Sequence, residues 1–369
     1  MKSELEKIDY VLFVDAFALM LIGFIMIYSS SAVFAYENYN GDSAFFLKRQ
    51  IIWAVAGVIM AVLFYRMPSQ KLKDAIPKIM TVTIVLLLLT LVPGLGRRVG
   101  GARRWLKLPL LPPFQPFELV KLFYVLYLAN VFSDDKIENR KKLTRSLMMT
   151  GIICIGLILE PDFGAVFTIT AIFLIMYIIS GMSLIYFLFL VPAAAVTLII
   201  LILKSPYRMK RIMAILNPWS DPQGMGFQTI QSYIAIGSGG IFGLGLTHSQ
   251  QKFLYLPTPH TDYIFSIIGE ELGLIGTAFV LVLFFIILWR GIYIARNTKD
   301  KMNKITAVGL TLMVIVQAYL NMGVAIGLMP PKGTTLPFLS SGGSSLVITI
   351  VAIGILLSIS KKLYGEDRR

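Results

Sequence analysis

Long apolar runs alternate with short polar segments along most of the chain, and residues 79–92 and 184–203 are almost free of charge. A helix needs about 20 mostly apolar residues to cross the hydrocarbon core of a bilayer. The pattern therefore predicts about ten transmembrane helices. The predicted spans are residues 10–31, 48–65, 75–93, 117–132, 147–160, 163–180, 182–203, 264–289, 305–328 and 342–360. We predict an all-α, polytopic membrane protein.

The composition agrees with this fold class. The chain is 56% hydrophobic and only 15% charged, whereas a soluble domain is nearer a quarter charged. The polar ends are too short to form a domain, so residues 1–369 are expected to form one integral membrane domain. The first apolar run is of full span length, which indicates a membrane helix rather than a cleavable signal peptide. Cys154 is the only cysteine, so the sequence predicts no disulfide within the chain and disfavours a cysteine metal site.

The distribution of basic residues predicts the orientation. An even number of spans puts both termini on one side of the membrane. If that side is the cytoplasm, the loops and tails there hold most of the 34 lysines and arginines, as the positive-inside rule requires. Residues 204–263 then form a long extracytoplasmic loop. Loops of this length are uncommon unless they are functional.

Two outer loops carry a cluster of basic side chains. Guanidinium groups match the geometry of phosphate, so the cluster favours an anionic ligand that enters from the outer face, such as a pyrophosphate lipid. The alternative is simple binding of lipid headgroups. Nucleic acid is not expected at such a surface. The residues are Arg97, Arg98, Arg103, Arg104, Lys107, Lys204, Arg208, Lys210, Arg211 and Lys252.

One acid stands out at the end of the long loop. Residues 256–262 form a short polar run that ends in Asp262, just before an apolar helix predicted to begin near Tyr263. A carboxylate in a partly dry pocket can act as a general base. The alternative is an N-cap for the next helix. His260, two residues earlier, is either a substrate contact or a surface imidazole.

Other charged residues form two pairs. Glu118 and Lys121 are three residues apart in the fourth span, so they share one helix face. They mark either a functional cavity or a structural ion pair, and in both cases they should face protein rather than lipid. Glu160 and Asp162 flank Pro161 at the outer end of the fifth span. They are candidates for binding a divalent cation, Mg²⁺ or Mn²⁺, or for capping helix ends.

The remaining polar signals lie in the last third of the chain. Glu270 and Glu271 are consecutive in a span and are expected to serve a polar network. Lys332 is a candidate phosphate contact. Ser344 belongs to a run of serines and glycines that opens the last helix, and it indicates either an anion site at a helix N-terminus or a small-residue packing motif. The sequence contains no Ser-His-Asp order, zincin motif or Walker loop, so no organic cofactor is expected.

These motifs, in this order, resemble those of the SEDS family (shape, elongation, division and sporulation). The resemblance covers nearly the whole chain, and the His-Thr-Asp and Gly-Glu-Glu block is its most specific part. The matching segments are Tyr28-Ser-Ser-Ser31, Gly101-Ala-Arg-Arg-Trp105, Phe114-Gln-Pro-Phe-Glu118 with Lys121, Glu160-Pro-Asp-Phe-Gly164, Gln231 to Gly245, Leu256 to Gly273, and Leu336 to Ser345. Phe117, Tyr263 and Ser341 depart from the usual family pattern.

The resemblance implies a peptidoglycan glycosyltransferase at the outer face of the bacterial cytoplasmic membrane. Such enzymes polymerise lipid II into β-1,4 glycan strands carried on undecaprenyl pyrophosphate. They work with a class B penicillin-binding protein, which is a transpeptidase, and with other membrane proteins of the division machinery. Residues 103–105 and 331–333 look closer to the cell-division branch than to the rod-elongation branch, and a sporulation paralogue stays open.

The resemblance also implies roles for particular residues. Asp262 corresponds to the required loop aspartate. Glu118 and Lys121 would shape the floor of the cavity. Basic residues or a divalent cation would stabilise the leaving pyrophosphate, and the basic candidates are Arg103, Arg104, Arg208, Arg211 and Lys332. Alternative interpretations are a lipid II flippase, a rod-elongation polymerase and a non-catalytic scaffold for the transpeptidase.

Overall fold

The computed structural model describes residues 8–99, 102–107, 113–204, 206–224, 226–252, 256, 259–331 and 333–366. Every span predicted from the sequence coincides with one helix of the structure, which confirms the predicted fold class. The elements are α1 Tyr10–Asn38, α2 Phe45–Arg66, α3 Ser69–Leu89, β1 Gly96–Val99, β2 Ala102–Leu106, α4 Pro116–Ser133, α5 Asn139–Leu159, α6 Phe163–Ile179, α7 Leu184–Leu203, α8 Pro206–Leu216, α9 Phe227–Gly239, α10 Ile264–Asn297, α11 Lys301–Ala325 and α12 Gly343–Glu366.

Apolar composition and burial divide the helices into inner and outer ones. Within the described residues, seven helices are long and apolar enough to cross a membrane. In α4, α11 and α12, 78% of the apolar window is buried, whereas in α2 only 17% is buried. A helix that is apolar all round can be buried in protein or face lipid. Helices α4, α11 and α12 therefore form the centre of the bundle, and α2 presents most of its surface to lipid.

Capping and one ion pair fix the end of the bundle where α1 begins and α12 ends. The Asp9 carboxylate accepts a hydrogen bond from Leu12 N at 3.0 Å and so caps α1. Asp300 caps α11 in the same way, through Asn303 N at 2.8 Å. Arg290 of α10 lies 2.7 Å from the Asp9 carboxylate. Helix starts leave free N–H groups that such acids satisfy.

Part of the long loop forms backbone hydrogen bonds with a break in helix α10. Helix α10 is interrupted at Gly273, which has φ 65° and ψ −162°. The segment after α9 supplies the hydrogen bonds that the break removes, as backbone groups in lipid require. The bonds are Leu244 N to Glu270 O, 2.9 Å, Gly245 N to Glu271 O, 3.0 Å, Leu274 N to Gly240 O, 2.9 Å, and Ile275 N to Ile241 O, 3.2 Å.

A short hairpin covers the opposite end of the bundle. Strands β1 and β2 pair antiparallel. A Cβ at Gly96 would lie 1.8 Å from the Thr90 carbonyl oxygen, so only glycine fits there. The chain then continues past Phe114, whose backbone pairs with Leu106. The hairpin brings Arg103 and Arg104 to the same end of the bundle as Asp262.

Candidate functional site

Asp262 lies in the turn before α10, at the end of the bundle opposite the ion pair between Asp9 and Arg290. Its carboxylate faces the loop before α12, because a Cβ placed on Gly333 would stand 3.4 Å from Asp262 Oδ2. The N-cap of α10 is Tyr263, and no side-chain hydrogen bond caps this helix. The structure therefore gives Asp262 no capping role and leaves its carboxylate for other chemistry.

Burial and nearby charge set the basicity of Asp262. Burial raises the pKa of this carboxyl from 3.8 to about 6, and the positive charges of Arg211 and Arg104 oppose the increase. A group with a pKa near the working pH is both largely ionised and a useful proton acceptor. Arg211, on α8, donates from Nη1 to the Pro331 carbonyl oxygen at 3.0 Å. The structure thus brings two predicted basic residues to the predicted base.

Arg104 joins the hairpin to the outer ends of α5 and α6. Its Nε lies 3.2 Å from Asp162 Oδ2, and its Nη2 donates to the Pro161 carbonyl oxygen at 2.6 Å. Asp162 also caps α6 by accepting from Ala165 N at 3.0 Å. The capping alternative is confirmed for Asp162. Its carboxylate is shared between a helix start and a guanidinium group.

Glu160 has a different environment from Asp162. It is buried, and it accepts a hydrogen bond from the Thr90 hydroxyl. Burial raises the pKa of Glu160 to about 8, so this carboxyl holds a proton at neutral pH. Among the described residues, no group of three or more His, Cys, Asp or Glu side chains could hold a metal. The binding of a divalent cation by Glu160 and Asp162 stays a prediction.

The other predicted basic residues have diverse positions. Arg103 donates to the Leu91 carbonyl oxygen at 3.5 Å and is partly buried. Lys252 lies inside the protein, with its Nζ 2.9 Å from Glu271 Oε1. The placement of Lys252 in a surface cluster is therefore wrong. The Arg208 side chain and the whole of Lys332 fall outside the described residues.

The pair of consecutive glutamates serves two partners, as expected. Besides its ion pair with Lys252, Glu271 accepts a hydrogen bond from the Ser29 hydroxyl of α1, at 2.6 Å to the nearer oxygen. Glu270 accepts from the Ser249 hydroxyl at 2.5 Å and from Gln250 N at 2.8 Å. Both carboxylates are buried. They anchor the start of the segment that leads to Asp262 onto the first turns of α10.

Glu118 and Lys121 form a buried ion pair beneath the site. The Lys121 Nζ lies 2.7 Å from Glu118 Oε2, and both side chains are almost fully enclosed. Lys121 also donates to the side-chain oxygen of Gln317. Gln317 Nε2 in turn donates to the Thr335 carbonyl oxygen at 2.9 Å and to Ser345 Oγ at 3.0 Å. The expectation that this pair faces protein is confirmed.

His260 is buried, with 4% of its surface exposed, so the surface-imidazole alternative is wrong. Its ring centroid lies 4.3 Å from that of Phe46 and 5.9 Å from that of Phe34. Burial lowers the pKa of His260 to about 4, so the ring is neutral at physiological pH. Its contact with substrate stays a prediction.

Ser344 joins two parts of the chain. Its hydroxyl accepts a hydrogen bond from Gln115 N at 3.1 Å. The first turn of α12 is thereby attached to the chain just before α4. This contact fits the packing alternative, and an anion site at Ser344 stays a prediction.

Sequence reasoning missed the residues that hold the Asp262 loop in place. Asn321 Nδ2 donates to the Asp262 carbonyl oxygen at 2.9 Å. Ser340 Oγ donates to the Thr261 carbonyl oxygen at 2.5 Å. The only sequence signal for Asn321 is a strongly polar side chain inside an apolar span, which deserves a functional hypothesis by default.

An apolar groove opens beside the buried glutamates. It has a volume of about 270 Å³ and lies between α1, α2 and the segment after α9. Phe24, Ile25, Leu47 and Leu246 are among its lining residues. Its lining is apolar and it adjoins the membrane-facing side of the bundle, so it suits a hydrocarbon chain.

Comparisons with known proteins agree over nearly the whole chain. The model of a family described as "Cell cycle protein", FTSW_RODA_SPOVE, matches residues 9–365. A Trichlorobacter lovleyi protein named "Probable peptidoglycan glycosyltransferase FtsW" is 42% identical over 97% of this chain and 94% of its own length. "Stage V sporulation protein E" of Bacillus subtilis is 40% identical over 96% of this chain and 97% of its own length.

A solved structure gives the same result for the fold. One chain of the structure described as "Structural coordination of polymerization and crosslinking by a peptidoglycan synthase complex" is 30% identical to this chain. The two superpose with a TM-score of 0.79 over 97% of this chain and 98% of that one.

Proposed function

The chain belongs to the FtsW, RodA and SpoVE family of cell cycle proteins, and on that premise we propose how it acts. It is a multi-pass membrane enzyme, a peptidoglycan glycosyltransferase of cell division. Relatives named as such glycosyltransferases match it over almost their full length. Their name FtsW agrees with the division branch indicated by its motifs.

The substrate is lipid II, which carries a disaccharide on undecaprenyl pyrophosphate. The site faces outward from the bacterial cytoplasmic membrane, and both termini are cytoplasmic. The bias of lysine and arginine toward the loops on the side of the termini supports this orientation. A class B penicillin-binding protein is the partner within the division machinery. Support for a crosslinking partner comes from the solved complex, whose description couples polymerization with crosslinking.

The proposed chemistry rests on one observation, the environment of the Asp262 carboxylate. This carboxylate does not cap a helix. Burial raises its pKa to about 6, and it lies near the positive charges of Arg211 and Arg104. Asp262 takes the proton from the 4-hydroxyl of the acceptor GlcNAc. The acceptor oxygen forms a bond to the anomeric carbon of the donor MurNAc, and the bond from that carbon to the pyrophosphate oxygen breaks. The pyrophosphate lipid leaves with the electron pair. This single displacement converts an α-linked donor into a β-1,4 link.

Charge that develops on the leaving pyrophosphate needs nearby cations. Arg104 and Arg211 both lie close enough to Asp262 to lower its pKa. Each guanidinium carries a positive charge and several N–H donors, the groups that bind phosphate in proteins. No step is assigned to a metal ion. The apolar groove near Ser29 is suited to the prenyl chain.

A specific observation favours a second candidate function, a lipid II flippase. Transporters commonly combine broken helices with charged groups at mid-membrane. Here α10 breaks at Gly273, and the Lys252–Glu271 pair is buried next to the break. However, Asp262 lies outside the helices, where chemistry on an outer substrate is expected.

Purified protein in detergent, supplied with lipid II, separates the candidates. A polymerase makes glycan strands there without a membrane or a gradient, and adding the cognate transpeptidase raises the yield. A flippase gives no polymer in detergent but moves labelled lipid II across vesicles. A scaffold binds the transpeptidase and gives neither product.

A further inference from the structure

The side chain of Asn321 joins two segments that meet at the site. Asn321 is fully buried on α11. Its Nδ2 donates to the Asp262 carbonyl oxygen at 2.9 Å and to the Thr334 carbonyl oxygen at 2.5 Å. Both acceptors are carbonyls, so only the NH₂ group can satisfy them, and this fixes the orientation of the amide. One side chain therefore sets the spacing between the Asp262 turn and the loop that carries Gly333.

A second amide acts on the same loop from one helical turn away. Gln317 precedes Asn321 by four residues, so the two side chains lie on one face of α11. Gln317 Nε2 donates to the carbonyl oxygen of Thr335 at 2.9 Å and to its hydroxyl at 3.1 Å. Its side-chain oxygen accepts from Lys121. The buried Glu118–Lys121 pair is thus linked to the loop that faces Asp262.

We propose that Asn321 and Gln317 are positioning residues, which hold the Asp262 carboxylate against the loop at Gly333. The inference rests on the proposed function, because it concerns the orientation of the proposed base. Asn321 acts through the backbone of Asp262 and does not need to contact substrate. Gln317 fixes the position of the loop at Gly333 relative to the Glu118–Lys121 ion pair.

Removing the Asn321 amide takes a donor from two carbonyls at once. Carbonyl groups that lose a buried partner turn toward water. The turn at Asp262 then loosens, and its carboxylate becomes more hydrated. Since burial is what raises the pKa of Asp262 to about 6, that pKa falls toward 3.8.

The test is the pH dependence of lipid II polymerisation by the purified full-length chain. Asn321→Leu removes the donor at similar volume, and Asn321→Ser is a smaller change in case the first variant fails to fold. Thr311→Val is the matched control. Thr311 is buried on the same helix, and its hydroxyl donates only to its own helix, to the Ala307 carbonyl oxygen at 2.7 Å.

The expected effect has three parts. The kcat at pH 7 falls about 10- to 100-fold, as small misplacements of a catalytic group do, while KM for lipid II stays within about twofold. The acidic limb of the kcat profile moves down by about 1–2 pH units, because the loosened carboxylate is a weaker base. Thr311→Val keeps the wild-type kcat and the wild-type limb.

Two results would overturn the inference alone while the proposed function stands. One is wild-type kcat in a folded Asn321 variant. The other is a lower kcat with an unshifted acidic limb, which is what a merely structural role produces. A wild-type chain that makes no polymer would overturn the proposed function and the inference with it.

Discussion

Asp262 should make the folded protein less stable at neutral pH. Its pKa is about 6 in the folded chain and 3.8 as an ordinary aspartate, so the folded state holds the proton more tightly. The stability gained from that proton is complete below about pH 4 and is lost as the pH rises through about 6. Asp262→Asn keeps the shape and cannot ionise, so this variant does not lose that stability.

The size of the effect follows from the difference in pKa. Each pKa unit corresponds to about 1.4 kcal/mol, so a difference of about 2 gives about 3 kcal/mol as an upper value. Asp262 is partly exposed, and solvent screening lowers the effect to about 1–2 kcal/mol. The Asn variant should therefore be more stable than wild type at pH 7. The gap should close near pH 4.

Thermal unfolding in detergent, followed by the fluorescence of the 4 tryptophans, measures this. Other groups also titrate, including Glu160, so the informative quantity is the difference between variant and wild type at each pH. A variant less stable than wild type at pH 7 would refute the reasoning. So would a difference that stays constant between pH 4 and pH 7.

Three further outcomes are expected. Lys121→Met leaves the Glu118 carboxylate buried without its cation, so the free energy of unfolding should fall by about 3–5 kcal/mol. Adding Glu118→Gln to this variant should recover most of the lost stability in the same unfolding assay. Gly23→Ala places a Cβ 2.2 Å from a backbone oxygen of the loop before α12, so polymerisation should drop, whereas Gly151→Ala enters open space and should keep full activity. At saturating lipid II the rate should fall about tenfold from pH 7 to pH 5, because the ionised fraction of Asp262 falls from about nine-tenths to about one-tenth; a flat profile would contradict the role of this carboxyl.

Features encoded by local pattern could be predicted from the sequence. Hydropathy located the helices that match the predicted spans, since crossing a bilayer requires a long apolar run. The three-residue spacing placed Glu118 and Lys121 on one helix face, and the structure pairs them at 2.7 Å. Asp262 was identifiable because it is a lone acid between a polar run and an apolar helix.

Features that depend on distant contacts could not be predicted. Asn321 donates a hydrogen bond to Asp262, which is 59 residues away in the sequence. Ser340 donates one to Thr261, which is 79 residues away. Nothing near Lys252 in the sequence shows that it enters the bundle to meet Glu271. The same holds for the break at Gly273, because the backbone partners that make it tolerable come from the segment after α9.

The most direct test of the proposed chemistry is lipid II polymerisation by purified wild-type protein and by Asp262→Asn, each checked for folding. Glycan strands from the wild type and none from the folded Asn variant are the predicted result. Equal amounts of polymer from both proteins would show that another group activates the acceptor hydroxyl.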